Sequence, residues 1–194
     1  CSPFTATYSQ NFDGTIDPAI DACWGVLNTT PSTGWVETEN SAFDPQRSAP
    51  NAIEFYNAGA TTGNLLLVSP RFSDLDNTKQ IRFWLQDEGS TAYTSDLIVG
   101  TMSDPLVDTT FEPYDTIPNA FFAFNTWTEF TINFSNLTNG DKHVAFRHGL
   151  NGTFDYIFMD DFVYELAPSC PTPSFLSADT ITSNSAYLAW TENG

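Results

Sequence analysis

The chain has 194 residues, and six Lys+Arg against 24 Asp+Glu leave a formal net charge of −18. That balance argues against nucleic acid and anionic membrane as partners, since both recruit Lys and Arg, and no run of about 18 apolar residues is present to insert into a bilayer. It fits a secreted protein that holds divalent cations or must stay soluble near other acidic polymers, while 41% hydrophobic and 15% aromatic content marks a folded, strand-favouring domain.

In chain order, residues 4–12 alternate and end at Asp13 and Gly14, which predicts a first strand. The segment Cys23-Trp24-Gly25-Val26-Leu27 follows. Residues 28–51 carry Pro31, Gly34, Pro45 and Pro50 and read mainly as a long surface loop, with 35–39 as a possible short strand. Regular strand spacing then sets in, at 52–56, 64–69, 79–86, 96–101, 111–117, 120–124, 127–134, 142–148 and 156–166. Within 79–86, Ile81, Phe83 and Leu85 share one face and Arg82 and Trp84 the other; within 127–134, Trp127 and Glu129 lie opposite Phe130 and Ile132. No stretch has helical periodicity. Many short strands at a spacing of about 8–12 residues specify an all-β jelly-roll sandwich of two antiparallel sheets.

The Pro-rich stretch 167–173 predicts a stiff linker after a domain spanning 1–166. Residues 174–194 read as two short strands around a turn. Two strands bury no core of their own, so this tail reads as the opening of a second β domain, with further domains of the same polypeptide to follow. Cysteines at 1, 23 and 170 fit no zinc spacing. One disulfide plus an odd cysteine is the useful reading. A Cys1–Cys23 bond would close a loop around the first strand and stabilise by about 3 kcal/mol. Three free thiols are the alternative, and the partner of Cys170 is open.

One strand carries an electrostatic anomaly. In Phe154-Asp-Tyr-Ile-Phe-Met-Asp-Asp-Phe-Val-Tyr164, the adjacent Asp160 and Asp161 interrupt an apolar run. Strand neighbours point to opposite faces, so one of the pair should face inward, at a cost of several kcal/mol unless it is paired or metal-bound. With cationic side chains scarce, structural Ca²⁺ is the natural partner. The alternative is that the pair caps a bulge and faces solvent or Arg147.

Several pieces together resemble a known family. Asn11-Phe12-Asp13-Gly14, Cys23-Trp24, Leu67-Val68-Ser69-Pro70, Ile81-Arg82-Phe83-Trp84, Trp127-Thr-Glu-Phe-Thr131, Val144-Ala-Phe-Arg-His148 and Phe158-Met-Asp-Asp-Phe162 occur in an order that is similar to MAM-like jelly-roll domains of secreted Bacteroidetes proteins, including gingipain-type cleaved-adhesin domains. The tail, with Pro171-Thr-Pro173, Ile181-Thr182 and Ser185-Ala-Tyr-Leu-Ala-Trp190, resembles the start of a fibronectin type III domain. In the jelly-roll family a calcium ion ties the first strand to the last, which implicates Asp13 with Asp160 or Asp161, and Asn11, Gln10 and Glu54 as further ligands. The chain has Gly63-Asn64 where many relatives have acidic residues, so a ligand that this loop carries in relatives is missing.

Catalytic signals are thin. His143 and His148 are five residues apart in one strand and point to opposite faces, so they form no metal pair; His148 reads as a surface or strand-end residue. No Gly-x-Ser-x-Gly turn or Gly-rich phosphate loop occurs. Binding is better supplied. Trp84 shares a face with Arg82, and Trp127 with Glu129, as candidate ligand platforms. Tyr93, Tyr114 and Trp35 fall in loop-like contexts, and Trp24 reads as core. A strand Trp buried against the second sheet is the alternative for Trp84 and Trp127. The sequence therefore predicts a non-catalytic, secreted or cell-surface, calcium-stabilised adhesion module, with a carbohydrate-binding module as the alternative. Its partner would be a surface protein or a glycan.

Overall fold

A computed structural model of the chain describes residues 1–41, 44–88, 95–121, 124–169, 174–179 and 181–191. Thirteen strands are described: β1 (Tyr8–Gln10), β2 (Gly25–Asn28), β3 (Gly34–Glu39), β4 (Ala52–Asn57), β5 (Leu65–Val68), β6 (Lys79–Glu88), β7 (Leu97–Met102), β8 (Phe111–Ile117), β9 (Thr128–Asn133), β10 (His143–His148), β11 (Asp155–Leu166), β12 (Ser174–Asp179) and β13 (Tyr187–Thr191). The first eleven build an all-β jelly-roll sandwich, and β12 and β13 form a separate two-stranded sheet. One sheet has the order β3-β4-β11-β6-β9, with β1 also on β11, and the other has β2-β5-β10-β7-β8. Every pairing among these strands is antiparallel.

The core lies between the sheets and follows the period-2 patterns. Ile81, Phe83 and Leu85 of β6 meet Val144 and Phe146 of β10, with the Phe83 and Phe146 rings edge-on at 5.0 Å. Trp24 is 6% exposed and packs edge-on against Phe12 and Phe162, at 5.3 and 5.1 Å, while its indole N–H donates to the Tyr8 hydroxyl. Cys1 and Cys23 are disulfide-bonded, which fastens this N-terminal corner. Cys170 lies outside the described residues.

Three sequence expectations change. The first strand shrinks from 4–12 to Tyr8–Gln10, because Phe12 turns the chain at φ 60° and Phe4 makes only an isolated bridge to Phe72. Within 28–51, read mainly as loop with a short strand at 35–39, the strand is a full edge strand over 34–39: Val36 and Thr38 alternate inward and Trp35, Glu37 and Glu39 outward, which outweighs the nearby prolines. A strand was expected at 120–124; residues 119–121 form a 3-10 turn, residues 122 and 123 lie outside the described residues, and Phe124 makes an isolated bridge to Asp87. The tail does form two antiparallel strands, β12 with β13.

Candidate functional site

Strand β11 sets the site. Before Asp160 its odd residues, Ile157 and Met159, face the core; beyond Asp161 the even ones, Phe162 and Tyr164, do so. A single inserted residue changes that parity. The register against β6 slips between Asp160 and Val163, and Asp161 adopts φ 49°, a left-handed conformation at a β-bulge. The bulge also marks a change of partner: Asp155–Met159 pair with β4, and Phe162–Tyr164 pair with β1. The first and last strands of the sandwich are thus paired directly.

Asp160 is 0% exposed and is the buried member of the pair. It does not point into the core, however. It shares the outer face of the sheet with its β6 partner Trp84, and residues 47 and 48, between β3 and β4, reach it there. The Asp160 carboxylate accepts the Arg47 N–H at 3.0 Å, the Ser48 N–H at 2.9 Å and the Asp161 N–H at 2.7 Å. Burial pushes its pKa up to about 7 against the lowering effect of these bonds, with the neighbouring Asp161 charge adding to the rise. Asp161 pairs with the Arg47 guanidinium, which also lies 3.8 Å over the Trp84 ring. The scarce organic cation needed for the carboxylate pair is therefore Arg47, not Arg147.

The remaining predicted ligands divide. Asp13 accepts the Asn11 amide at 2.6 Å and the Asn51 N–H at 3.2 Å. Gln10, Asn11 and Asp161 line one open depression of about 310 Å³ with Ser9, Phe162 and Val163. Glu54 instead lies on the outer face of β4, across from Phe158. It is 4% exposed and accepts the Trp35 indole N–H at 2.5 Å. Burial, opposed by that bond and joined by the charges of Glu39, Asp44 and Glu37, raises its pKa to about 7. Among the described residues no group of three or more His, Cys, Asp or Glu converges as a metal cluster. Asn51, which the sequence reading missed, is 1% exposed. Its amide donates to the carbonyls of Phe12 and Thr15, both at 2.9 Å, and its Oδ1 is buried with no hydrogen-bond partner.

The predicted binding aromatics fare unequally. Trp84 is half-buried, with Arg47 over its ring. Trp127 is half-buried just before β9. Arg82 is neutralised by Glu129 and Glu165, both at 2.7 Å, which raises its pKa. Tyr93 lies outside the described residues. Trp35 stands in β3 and heads a row across the outer face, with Tyr56 at 4.2 Å and Tyr156 at 4.5 Å. Interplanar angles of 34° between Trp35 and Tyr56 and 36° between Tyr56 and Tyr156 make these rings lean on one another. Tyr114 belongs to β8, its hydroxyl bonded to the Asn133 carbonyl.

Both histidines are buried. His143 contacts the Ser69 carbonyl through Nδ1 at 3.0 Å. His148, expected at the surface, is 1% exposed: its Nδ1 accepts the Leu150 N–H, and its Nε2 faces the buried Asp155 carboxylate at 3.3 Å. Its phase with Val144 and Phe146 was the signal for that burial.

No family model matches the chain, and no curated protein matches it in sequence. Solved structures do share its fold. A cleaved adhesin domain of Lys-gingipain from Porphyromonas gingivalis aligns with a TM-score of 0.67 at 19% identity, covering 84% of this chain and 99% of that one. A second cleaved adhesin domain of Lys-gingipain gives 0.66 at 18% identity, over 84% and 99%. A xylan-binding domain from Paenibacillus barcinonensis gives 0.56 at 8% identity, over 87% and 99%. The chain therefore has a cleaved-adhesin-like fold.

Proposed function

We propose that this chain is a non-catalytic extracellular adhesion module of a larger multidomain protein, binding its partner on the outer face of the β3-β4-β11-β6-β9 sheet beside Trp84 and Trp127. The end-to-end likeness to cleaved adhesin domains carries this reading. The disulfide fits an oxidising, extracellular location. Both histidines are buried, His143 against the Ser69 carbonyl and His148 beside Asp155, and so leave no imidazole for surface acid–base chemistry. No helix among the described residues is long and apolar enough to cross a membrane. The tail, as two paired strands, suits the opening of a fibronectin type III-like domain.

A carbohydrate-binding role is the second reading, favoured by the likeness to the xylan-binding domain and by Trp84, whose ring could stack on a sugar once Arg47 moves aside. Binding to immobilised matrix proteins but to no polysaccharide supports adhesion; polysaccharide binding lost in Trp84→Ala or Trp127→Ala supports the second reading.

Structural calcium belongs to the same proposal. The buried, unpartnered Asn51 Oδ1 and the adjacent Asp13 carboxylate are hard oxygen donors of the kind Ca²⁺ takes. Asp13 and Asn51 would hold the ion with Asp160 or Asp161, backbone carbonyls and water completing six to eight oxygens. A melting temperature indifferent to both Ca²⁺ and EDTA would remove this part of the proposal.

A further inference from the structure

Glu37 of β3 stands directly opposite Glu54 of β4, and Glu39 follows on the same outward side of β3. Like charges set opposite each other destabilise a sheet, and further carboxylates lie close. Burial is the larger cause of the raised pKa of Glu54 and Glu37, but neighbouring charges add to it: Glu39, Asp44 and Glu37 act on Glu54, and Glu39 and Asp17 on Glu37. No internal cation answers them. All six Lys and Arg lie among the described residues, and none forms an ion pair with any of these five carboxylates. Arg47, Lys79 and Arg82 spend their charge on other carboxylates, while Lys142 and Arg147 meet neutral oxygens.

The same half of the face is aromatic. Glu37 and Glu39 share their side of β3 with Trp35, half-buried on the sheet's edge strand, which heads the row through Tyr56 to Tyr156. Rings beside carboxylates suit an ammonium or guanidinium group, which is attracted by both the ring and the anion. The chain itself shows that arrangement elsewhere on this sheet, where the Arg47 guanidinium lies 3.8 Å over Trp84 while paired with Asp161. On β3 and β4 the rings and carboxylates recur with no Lys or Arg of the chain paired to them.

We infer that the β3–β4 half of the outer face docks a basic segment of a partner protein, with a Lys or Arg side chain of that partner against Trp35 and beside Glu37 and Glu39. The inference rests on the adhesion reading and adds the chemistry of the partner. Charge complementarity selects this occupant. A neutral sugar would leave the repulsion among the carboxylates unrelieved, and an acidic chain would add to it. The net charge of −18 carries the attraction beyond contact range and speeds encounter with a cationic partner.

The test is a fluorescence anisotropy titration of the whole chain against a labelled Arg-Ser repeat peptide and its citrulline counterpart, which keeps the side-chain shape but not the charge. Expected is saturable binding of the arginine peptide, at least tenfold tighter than the citrulline one and weakening with salt. It should fall at least tenfold in Glu37→Gln/Glu39→Gln. Glu112→Gln/Asp115→Asn removes the same charge from exposed positions of β8 in the other sheet and should change affinity little. Equal affinity for the two peptides, no binding of the arginine peptide, or equal losses in the two double variants overturns the inference. Wild-type binding to immobilised matrix proteins, measured alongside, reports on the adhesion reading itself, so the two failures are distinguishable. Circular dichroism spectra and melting temperatures matching wild type guard against a folding defect in either variant.

Discussion

Glu54→Gln should stabilise this protein at alkaline pH and do little in acid. Glu54 is almost fully buried and its pKa rises from 4.5 to about 7, chiefly through desolvation. Since the folded state holds the proton more tightly than the unfolded one, wild-type stability is full below the unfolded pKa and is lost as pH rises through the folded value. Glutamine keeps an oxygen to accept the Trp35 indole N–H but never ionises. At about 1.4 kcal/mol per pKa unit, the substitution should gain about 3 kcal/mol at pH 8 and under about 1 kcal/mol at pH 5. For a domain of this size that corresponds to a rise of roughly 6–12 °C at pH 8. Melting of wild type and Glu54→Gln at both pH values, followed by circular dichroism, measures it. A gain that is absent at pH 8, or the same at both pH values, would refute the placement of Glu54 as a desolvated carboxylate.

Asp160→Ala should leave the N–H groups of Arg47, Ser48 and Asp161 unpaired, costing about 3 kcal/mol or more; hydrogen exchange at Arg47 and Ser48 should accelerate before that of the β6 and β11 ladders. Gly100→Ala should cost about 1–3 kcal/mol by overpacking, because the new methyl group meets the Phe111 ring, and chemical denaturation reads it directly. Saturating Ca²⁺ should raise stability by about 2.7 kcal/mol at a hundred times its dissociation constant, with the increment absent in Asp13→Asn; thermal shift in Ca²⁺ against EDTA decides.

The strands were legible because burial alternates along them. Ile81, Phe83 and Leu85 against Arg82 and Trp84 were assigned to the right faces from period 2 alone. The same rule failed at Asp160 in an instructive way. It placed one carboxylate of the pair inward, whereas the structure buries Asp160 against residues 47 and 48 on the outside of the sheet. Nothing in local periodicity says which loop will fold over a sheet face, so Arg47 and Ser48 were invisible as partners, and Asn51 with them. The parity change at the bulge was hidden for a related reason. Apolar residues on both sides of Asp160 and Asp161 read equally well in either phase until the pairing with β4 and β1 is known. Asn11 bonds to Asp13 and lines one depression with Asp161, whereas Glu54 is held elsewhere by Trp35.

The central claim is non-catalytic binding through the outer face at Trp84. Its most direct test is a surface-binding measurement of wild type and Trp84→Ala over immobilised matrix proteins and polysaccharides, with the released material assayed for cleavage. Saturable binding of intact ligand that falls at least tenfold in Trp84→Ala is the predicted result. Cleaved ligand, or binding indifferent to the substitution, would contradict it.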